Sequence, residues 1–453
     1  MKEKSSSTTF VKSMSALVSG TVVGQLITAL TLPILTRIYS PEDFAMLAAF
    51  NAITSLVAIV ACLRYDIAIP FAEKEKEARI LVATSFILAM MCVILVIIIL
   101  SIIPSEWIIS TLGNFSGKAY IWLIPLAILS LASFSIVQNW YTRLKKFKFI
   151  AGIRVLQASS ASGAQLIMGL SGLGPLGLIL GYLFNSIVGA FLMGVTMLRN
   201  KITHGIKISE FSGVAKNNKK FPMYSTWEAL FNSGAIQLPI LMIASFGIGP
   251  EAGYLAISMY MLQVPMVLVG NSVGQIYYSE APKAHSEGLL SDFNILMLKR
   301  LSTLGTGPLI FAGIISPSIF VWIFGAEWER AGQMVRFMTP WFILQFMTSP
   351  LSLAFTTIGR QKLGSQLQAS GLLVRTGAVT AAAFLFPEFI VEVFALSGAI
   401  FYGYYLIALF RVVKTPWLSV LKAFIGNFWV TFIWLIFGVV VLLSFPLFKE
   451  LLI

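Results

Sequence analysis

Long apolar segments separated by short polar ones make up most of this chain. Each is long enough to cross about 30 Å of hydrocarbon as a helix that rises about 1.5 Å per residue. The pattern predicts membrane spans at residues 13–36, 44–66, 79–103, 119–143, 150–170, 175–198, 222–246, 252–277, 299–324, 331–358, 363–386 and 389–410. A further apolar segment covers residues 418–447, and the pattern leaves open whether it crosses the membrane or lies along its surface. The sequence therefore predicts an all-α polytopic membrane protein.

Short sequence words recur in the same order about half a chain apart, as expected of an internal duplication. The pairs are "LPIL" at 32–35 and 238–241, Pro-Glu at 41–42 and 250–251, and "LQAS" at 156–159 and 367–370. An even number of predicted spans separates the copies, so both copies cross the membrane in the same direction, as in a parallel repeat. The repeat predicts two six-helix lobes around a central cavity. These lobes cover residues 1–200 and 215–415, and residues 416–453 form an additional C-terminal hydrophobic segment.

Composition supports the membrane class and argues against several others. Hydrophobic residues make up 57% of the chain and charged residues 11%, compared with about 25% charged residues in a soluble domain. The two cysteines lie in apolar segments and the two histidines in predicted loops, so we expect no disulfide framework, metal site or cofactor. The longest predicted outer loop, 104–118, has no room for a soluble domain, so function should reside within the membrane.

The net charge of +13 would indicate nucleic-acid binding in a soluble protein, but its distribution has another explanation. With the N-terminus inside, 26 of the 32 Lys and Arg residues fall on segments predicted to face the cytoplasm. This asymmetry obeys the positive-inside rule and predicts a cytoplasmic N-terminus. The basic segments would face anionic headgroups, so membrane lipids are expected partners and nucleic acid is not.

Polar side chains inside membrane spans are costly unless they face protein or water, so they are good indicators of function. The first span carries Thr21 and Gln25 one turn apart, and Gly20 and Gly24 form a close-packing face beside them. Gln25 at mid-depth favours a lined cavity, whereas threonine alone is explained by helix packing. Arg37 lies near the outer end of the span, where anchoring at the interface is the default explanation.

Two later spans carry amide and carboxylate side chains one turn apart. The pairs are Glu228 with Asn232 in the seventh span and Asn271 with Gln275 in the eighth. Glu228 could be a proton or cation site, or it could pair with a neighbouring arginine, and the sequence favours neither alternative. Prolines in the first, seventh and eighth spans predict bent or broken helices, which are tolerated where protein or water satisfies the freed backbone.

The fifth span carries Arg154, Gln157 and Gln165 on one face. Arg154 lies near the inner end of the span, so its guanidinium could simply extend to the surface of the bilayer. The alternative is that all three side chains line a polar cavity together with the other polar faces.

The eleventh span carries the deepest cation, Arg375, on the same face as Gln368. Arg375 lies about 16–18 Å from either end of the predicted span, too deep for its side chain to reach the surface easily. One explanation is a buried ion pair with Glu228 or Glu392. The functional hypothesis is an anion ligand in the central cavity. Guanidinium groups match phosphate oxygens, and amides suit sugar hydroxyls, so such a cavity fits a large anionic substrate that carries sugars.

Two stretches resemble a known family. "LPILTRIYSPEDFAMLAAFNAITSLVAIVACLRYDIAIPFAEKEKEA", at 32–78, resembles the first two spans of Wzx-type O-antigen and polysaccharide flippases. "NWYTRLKKFKFIAGIR", at 139–154, is similar to the loop between the fourth and fifth spans of that family. The family belongs to the multidrug/oligosaccharidyl-lipid/polysaccharide exporter superfamily, whose fold is two six-helix lobes around a central cavity. The segment 418–447 departs from its usual twelve spans.

The resemblance implies a non-enzymatic flippase of the bacterial inner membrane. Its substrate would be an undecaprenyl-diphosphate-linked oligosaccharide, moved from the cytoplasmic to the periplasmic leaflet. Arg375, Arg154 and Arg37 have the type and placement to bind the diphosphate, although no residue motif can be carried over position by position. Polymerase and chain-length regulator proteins are the candidate protein partners that the resemblance implies.

Two other functions remain in view. A cation-coupled drug exporter of the same superfamily would need intramembrane carboxylates, but the first span has none and Arg375 would repel organic cations. An O-antigen polymerase or membrane glycosyltransferase would need acid/base groups near a surface or in a sizeable outer loop, and no paired carboxylate motif stands out.

Overall fold

A computed structural model describes residues 2–104, 118–199, 209–246 and 250–451, with the side chains of residues 2–17, 445–451 and a few positions between them left out. Within these ranges the chain is almost entirely helical and forms no strand, which confirms the predicted all-α class. The chain divides into two compact units, Met1–Gly249 and Pro250–Ile453.

The first unit is built from long helices joined by short turns. Its helices are α1 (Lys2–Ile38), α2 (Pro41–Ala61), α3 (Tyr65–Ala68), α4 (Glu75–Ile102), α5 (Lys118–Ile121), α6 (Leu123–Arg143), α7 (Phe147–Leu170), α8 (Pro175–Arg199), α9 (Ser209–Asn217) and α10 (Thr226–Ser245). The turn between α1 and α2 shows how local sequence sets these boundaries. Ser40 accepts a hydrogen bond from the backbone N–H of Asp43, and the Asp43 carboxylate accepts one from the backbone N–H of Ser40.

The second unit repeats this construction. Its helices are α11 (Glu251–Ser286), α12 (Leu290–Leu301), α13 (Gly307–Phe324), α14 (Glu329–Leu351), α15 (Ala354–Thr357), α16 (Gln361–Leu385), α17 (Ile390–Val412), α18 (Trp417–Ile425) and α19 (Phe428–Leu451). One π-helical turn, Ser302–Thr306, joins α12 to α13, so these two helices form one long element.

In the described part of the chain, eight helical segments are long and apolar enough to cross a membrane. They are Val18–Ile38, Pro41–Ala61, Glu75–Ile102, Leu123–Arg143, Pro175–Arg199, Leu290–Phe324, Pro387–Val412 and Trp417–Ser444. The other predicted spans correspond to α7, α10, α11, α14 and α16, which are helical but less apolar. Several of these helices carry the polar faces described above, which explains their lower hydropathy.

The packing order inside the first unit recurs inside the second. In the first unit α6 packs against α2, α4 and α8, and α7 packs against α8. In the second, α14 packs against α11, α13 and α17, and α16 packs against α17. These are the pairings that an internal duplication predicts, because equivalent helices carry equivalent apolar faces. The division into lobes at 200 and 215 stays a prediction of the repeat.

The first and seventh predicted spans both belong to the first unit, but they have different neighbours. α1 packs along α7, and Gly20 and Gly24 make this close approach possible, as the sequence predicted. A Cβ on Gly20 would lie 2.5 Å from the Cβ of Ala151, and one on Gly24 would lie 3.3 Å from the carbonyl oxygen of Arg154. α10, the counterpart of α1 in the repeat, packs against α2.

An ion-pair network joins three helix starts in the second unit. The Arg330 guanidinium, at the start of α14, contacts Glu251 of α11 at 3.0 Å and Glu392 of α17 at 2.7 Å. Both pairs are bidentate, and the side chains are 17% to 26% exposed. The network ties the ends of α11, α14 and α17 together.

The C-terminal segment runs beside α12 and α13 in the same direction as they do. Ser291, at the start of α12, donates a hydrogen bond to Thr415, just before α18. Asn427, just after α18, donates one to the carbonyl of Lys299 in the last turn of α12. The start of α12 thus contacts the start of α18, and the end of α12 contacts the end of α18, so the two helices run parallel.

The same direction continues into the paired helices α13 and α19. The Trp434 ring fills the space beside Gly307, and the rings of Phe311 and Phe437 stack at 5.1 Å. α19 has 24 residues, about 36 Å of helix, and lies alongside a predicted span. The structure therefore favours a crossing helix over an interfacial one for the C-terminal segment.

Candidate functional site

The deepest predicted cation, Arg375, lies in an aromatic cage inside the second unit. Its side chain is 1% exposed, and its guanidinium carbon lies 4.7 Å from the ring centre of Trp341, 5.0 Å from that of Phe401 and 5.2 Å from that of Tyr402. Ring faces carry partial negative charge, so three of them can stabilise a desolvated cation. In this conformation the rings also separate the guanidinium from anything outside the unit.

Glycines make room for the cage. A Cβ on Gly371 of α16 would lie 2.5 Å from the ring of Phe401, and the Trp341 ring occupies the space where a Cβ on Gly398 of α17 would stand. These close contacts let α14, α16 and α17 approach one another with large rings between them. The guanidinium is thus positioned by three helices of one unit.

The predicted ion-pair partners of Arg375 are engaged or exposed elsewhere. The Glu392 carboxylate binds Arg330, and Glu228 lies on the exposed face of α10. The ion-pair explanation for Arg375 is therefore wrong in this structure, because aromatic rings and not a carboxylate surround its guanidinium.

In the first unit Arg154 is held by a different set of partners. One guanidinium nitrogen donates to the Oε1 of Gln138 on α6 at 2.7 Å, and the guanidinium carbon lies 5.4 Å from the ring centre of Phe134. The side chain is partly exposed. Arg154 thus turns toward a neighbouring helix and is more accessible than Arg375.

The other two polar residues on this face of α7 join helices. Gln157 is 2% exposed and donates to the carbonyl of Asn185 on α8 at 2.7 Å. Gln165 donates to the carbonyl of Leu178 at 3.3 Å, also on α8. Buried amides need such partners, so both side chains serve the α7–α8 contact in this conformation.

A tyrosine in the turn after α1 completes this contact. The Tyr39 hydroxyl donates to the carbonyl of Gln165 at 2.7 Å. Burial, with the nearby Asp43 carboxylate, raises the pKa of Tyr39 to about 12, so the hydroxyl keeps its proton at neutral pH. The hydrogen bond is therefore maintained over the physiological pH range.

The remaining candidates are scattered. Arg37 is exposed at the end of α1, Gln25 is partly exposed in its middle, and Glu228 and Asn232 are exposed one turn apart on α10. Gln368 is partly exposed two turns before Arg375 on α16, and Asn271 and Gln275 lie on α11 with side chains outside the described set. The structure thus groups Arg154 with Gln138, and Arg375 with aromatic rings.

Several residues around the two arginines were not singled out from the sequence. Trp341, Phe401 and Tyr402 are ordinary apolar residues by pattern, and only the helix packing brings them to one guanidinium. The indole nitrogen of Trp341 and the Oε1 of Gln345, one turn later on α14, find no hydrogen-bond partner among the described residues. A mid-span glutamine such as Gln345 is the signal that could have pointed to this region.

No group of three or more potential metal ligands occurs among the described His, Cys, Asp and Glu residues. The polar groups brought together are cations, amides and hydroxyls. They can bind anions and hydrogen-bond acceptors, but as arranged they do not form an acid/base pair.

Comparisons with known proteins identify the family and the fold. Residues 34–333 match a family model described as a polysaccharide biosynthesis protein. No curated protein matches the chain by sequence. Two solved structures resemble it in fold: a lipid II flippase, MurJ, in an inward closed conformation, and an inward-facing multidrug resistance MATE family transporter of the MOP superfamily.

The lipid II flippase shares 15% sequence identity, with a TM-score of 0.68 over 98% of this chain and 100% of its own. The MATE transporter shares 14% identity, with a TM-score of 0.61 over 86% of this chain and 94% of its own. At these identities the likeness concerns the fold. It agrees with the predicted superfamily architecture.

Proposed function

The chain belongs to the family of polysaccharide biosynthesis proteins, and from this membership we propose that it is a flippase for a lipid-linked oligosaccharide. The substrate is an undecaprenyl-diphosphate-linked repeat unit of O-antigen or capsule, moved from the cytoplasmic to the periplasmic leaflet. The protein moves this substrate without making or breaking covalent bonds.

The observation that carries the proposal is the combination of family and fold. Membership of a polysaccharide biosynthesis family supports a role on a glycan pathway, and nearly the whole length of the chain shares the fold of a lipid II flippase. A drug exporter shares the second feature but not the first. A polymerase or glycosyltransferase would share the first but needs free acid/base groups. The neighbouring carboxylates Glu251 and Glu392 are instead both bound by Arg330.

In the proposed mechanism the lipid tail stays in the bilayer while the diphosphate and glycan pass through the protein. A phosphate oxygen can reach Arg154 in the conformation described, since the side chain of Arg154 is partly exposed near the inner end of its span. Arg375 is enclosed, so contact with the substrate requires its aromatic cage to open. Alternation between two states would then expose the polar faces to each leaflet in turn.

The test is the leaflet location of the lipid-linked oligosaccharide in cells that lack the gene. In deleted cells the intermediate should be protected from a membrane-impermeant glycan-modifying reagent, and wild-type protein should restore its exposure. Arg154→Gln should restore less exposure at equal expression, whereas Arg336→Gln, a change at an exposed arginine of α14, should behave as wild type.

Three outcomes separate the candidate functions. An intermediate that is outward-facing but unpolymerised in deleted cells would reject flipping and favour the polymerase. Normal flipping with lost resistance to organic cations would favour the drug exporter. Wild-type behaviour of Arg154→Gln would leave the flippase standing and remove Arg154 from its site.

A further inference from the structure

A short amphipathic helix, α18, lies at the end of the second unit that is predicted to face the cytoplasm. It is held beside α12 at both of its ends, by Thr415 with Ser291 and by Asn427 with Lys299. Its inner face is apolar and closely packed, with Val420 1% and Ala423 2% exposed. This end of the protein therefore presents a fixed surface.

The opposite face of α18 exposes large apolar side chains. Trp417, Leu418 and Leu421 are 51%, 64% and 42% exposed. At the start of α19 the rings of Phe428 and Phe432 stack at 5.8 Å, and the two side chains are 57% and 39% exposed. An amphipathic helix followed by exposed aromatic rings is typical of the boundary between headgroups and acyl chains.

Basic side chains lie on α18, just before it, and in the last turns of α12 and α17. We call them the basic patch, and its members are Lys299, Arg300, Arg411, Lys414 and Lys422. All are exposed, and none forms an ion pair with a carboxylate among the described residues. The acidic residue of α12, Asp292, lies in the first turn of that helix, about 10 Å along the axis from Lys299 in the last.

Two members of the basic patch flank one gap in the helices. α18 ends at Ile425 and α19 begins at Phe428, with Gly426 exposed between them. The Cε of Lys299 lies 3.6 Å from where a Cβ of Gly426 would stand, and Lys422 lies one turn earlier on α18. The stem of Lys299 therefore packs against Gly426, and Gly426 lies two residues before Phe428 at the start of α19.

We propose that the basic patch and the exposed face of α18 bind an anionic phospholipid of the cytoplasmic leaflet. The phosphate lies between the exposed side chains of Lys299 and Lys422, and the acyl chains lie against Trp417, Leu421 and Phe432. Charge complementarity with apolar surface on the same face favours this ligand, since a soluble acidic peptide would leave the apolar side chains uncovered. The proposal does not depend on what the protein transports.

Anionic lipid should be preferred over zwitterionic lipid because the patch carries several positive charges and no paired carboxylate. Each lysine near an anionic surface strengthens binding by about fivefold. Removal of three lysines should therefore weaken binding by roughly a hundredfold.

The experiment uses purified full-length protein in detergent and measures its melting temperature during titration with phosphatidylglycerol or phosphatidylcholine. The test variant is Lys299→Gln with Lys414→Gln and Lys422→Gln. The matched control changes three exposed lysines at the end of α9 and just after it, Lys216→Gln with Lys219→Gln and Lys220→Gln. Inorganic phosphate is titrated as a third ligand, to test the headgroup chemistry without acyl chains.

We expect phosphatidylglycerol to stabilise wild type and control, and to stabilise the test variant only at far higher concentration. All three proteins should melt at the same temperature without lipid, because the changed side chains are exposed. Equal stabilisation by phosphatidylcholine, or an unchanged response of the test variant, would overturn the proposal. Stabilisation by inorganic phosphate at the same concentration would reject a lipid in favour of a free anion.

Discussion

At the scale of single residues, two glycines on α1 set the distance to α7. Gly20 meets Ala151, and Gly24 meets the backbone at Arg154. The spacing of these glycines was visible in the sequence, because small residues four apart lie on one helix face. Which helix they would meet was not visible, since the partner is more than 120 residues away in the chain.

Gly20→Ala should destabilise the protein, because the new Cβ would stand 2.5 Å from the Cβ of Ala151. Overpacking of this kind costs about 1–3 kcal/mol. The control is Gly152→Ala on α7, where a Cβ would meet nothing within 4 Å. That change should be neutral or stabilising by up to about 1 kcal/mol, since alanine favours helix. Melting temperatures in detergent test the difference, and equal values for both variants would contradict the packing described here.

For Arg375 the question at this scale is whether its charge, its volume or both contribute to stability and transport. Arg375→Met keeps volume and removes charge, whereas Arg375→Lys keeps charge and loses the planar contact with the rings. The ring contacts attract a desolvated cation by about 2 kcal/mol or more, but removing the charge also removes its desolvation cost. We expect Arg375→Lys to melt at lower temperature than wild type, because it keeps a buried charge and loses the ring contacts, and Arg375→Met to melt close to wild type.

Flipping activity compared with melting temperature then separates the two roles of Arg375. If the guanidinium binds the diphosphate, Arg375→Met should lose activity at temperatures where it is still folded, and Arg375→Lys should keep part of it. Activity that follows melting temperature in both variants would show a packing role alone.

At the scale of elements, the network around Arg330 fixes three helix ends. Arg330→Gln should cost about 2 kcal/mol, less than a fully buried pair, because the side chains are partly exposed. The substitution leaves the Glu251 and Glu392 carboxylates close together without the cation that they share. Arg336→Gln, on the exposed face of the same helix, should have little effect on the melting temperature. A melting temperature for Arg330→Gln as high as that of Arg336→Gln would argue against the network's role.

The sequence did not show whether the C-terminal helix crosses the membrane or lies along its surface. A hydrophobic segment of this length can cross the membrane or lie on it, and hydropathy alone gives the same value for both. Packing decides in favour of crossing, since α19 meets α13 from Gly307 to Ile314 in a parallel arrangement. A helix that runs in the same direction as a neighbouring span should end on the side where that span ends.

We therefore predict that the C-terminus lies on the opposite side of the membrane from the N-terminus. Alkaline phosphatase fused after Ile453 should be active, and a green fluorescent protein at the same place should be dark. Fusions after Lys414, before α18, should show the reverse. Fluorescence of the fusion after Ile453 would mean that α19 does not cross.

At the scale of the whole molecule, the charge distribution predicts the orientation. Lys148, at the start of α7, lies on a segment predicted to be cytoplasmic, and Glu388, before α17, lies on one predicted to be outside. The natural cysteines, Cys62 and Cys92, can first be replaced by alanine to give a background for labelling.

In intact cells an impermeant maleimide should label Glu388→Cys and leave Lys148→Cys unlabelled until the membrane is permeabilised. Both positions are exposed on the protein, so access across the membrane is what differs. The opposite pattern would invert the predicted orientation and with it the direction of transport.

The sequence by itself determined the all-α membrane class, the recurrence of short sequence words half a chain apart and the close-packing glycines of α1. These features depend on hydropathy, period and spacing, which are local properties that each segment carries with it. Tertiary structure alone decided that aromatic rings enclose Arg375, that Gln157 and Gln165 join α7 to α8, that α10 packs against α2, and that α19 runs parallel to α13. These are contacts between residues far apart in the chain, and a stripe on one helix does not specify which neighbour will cover it.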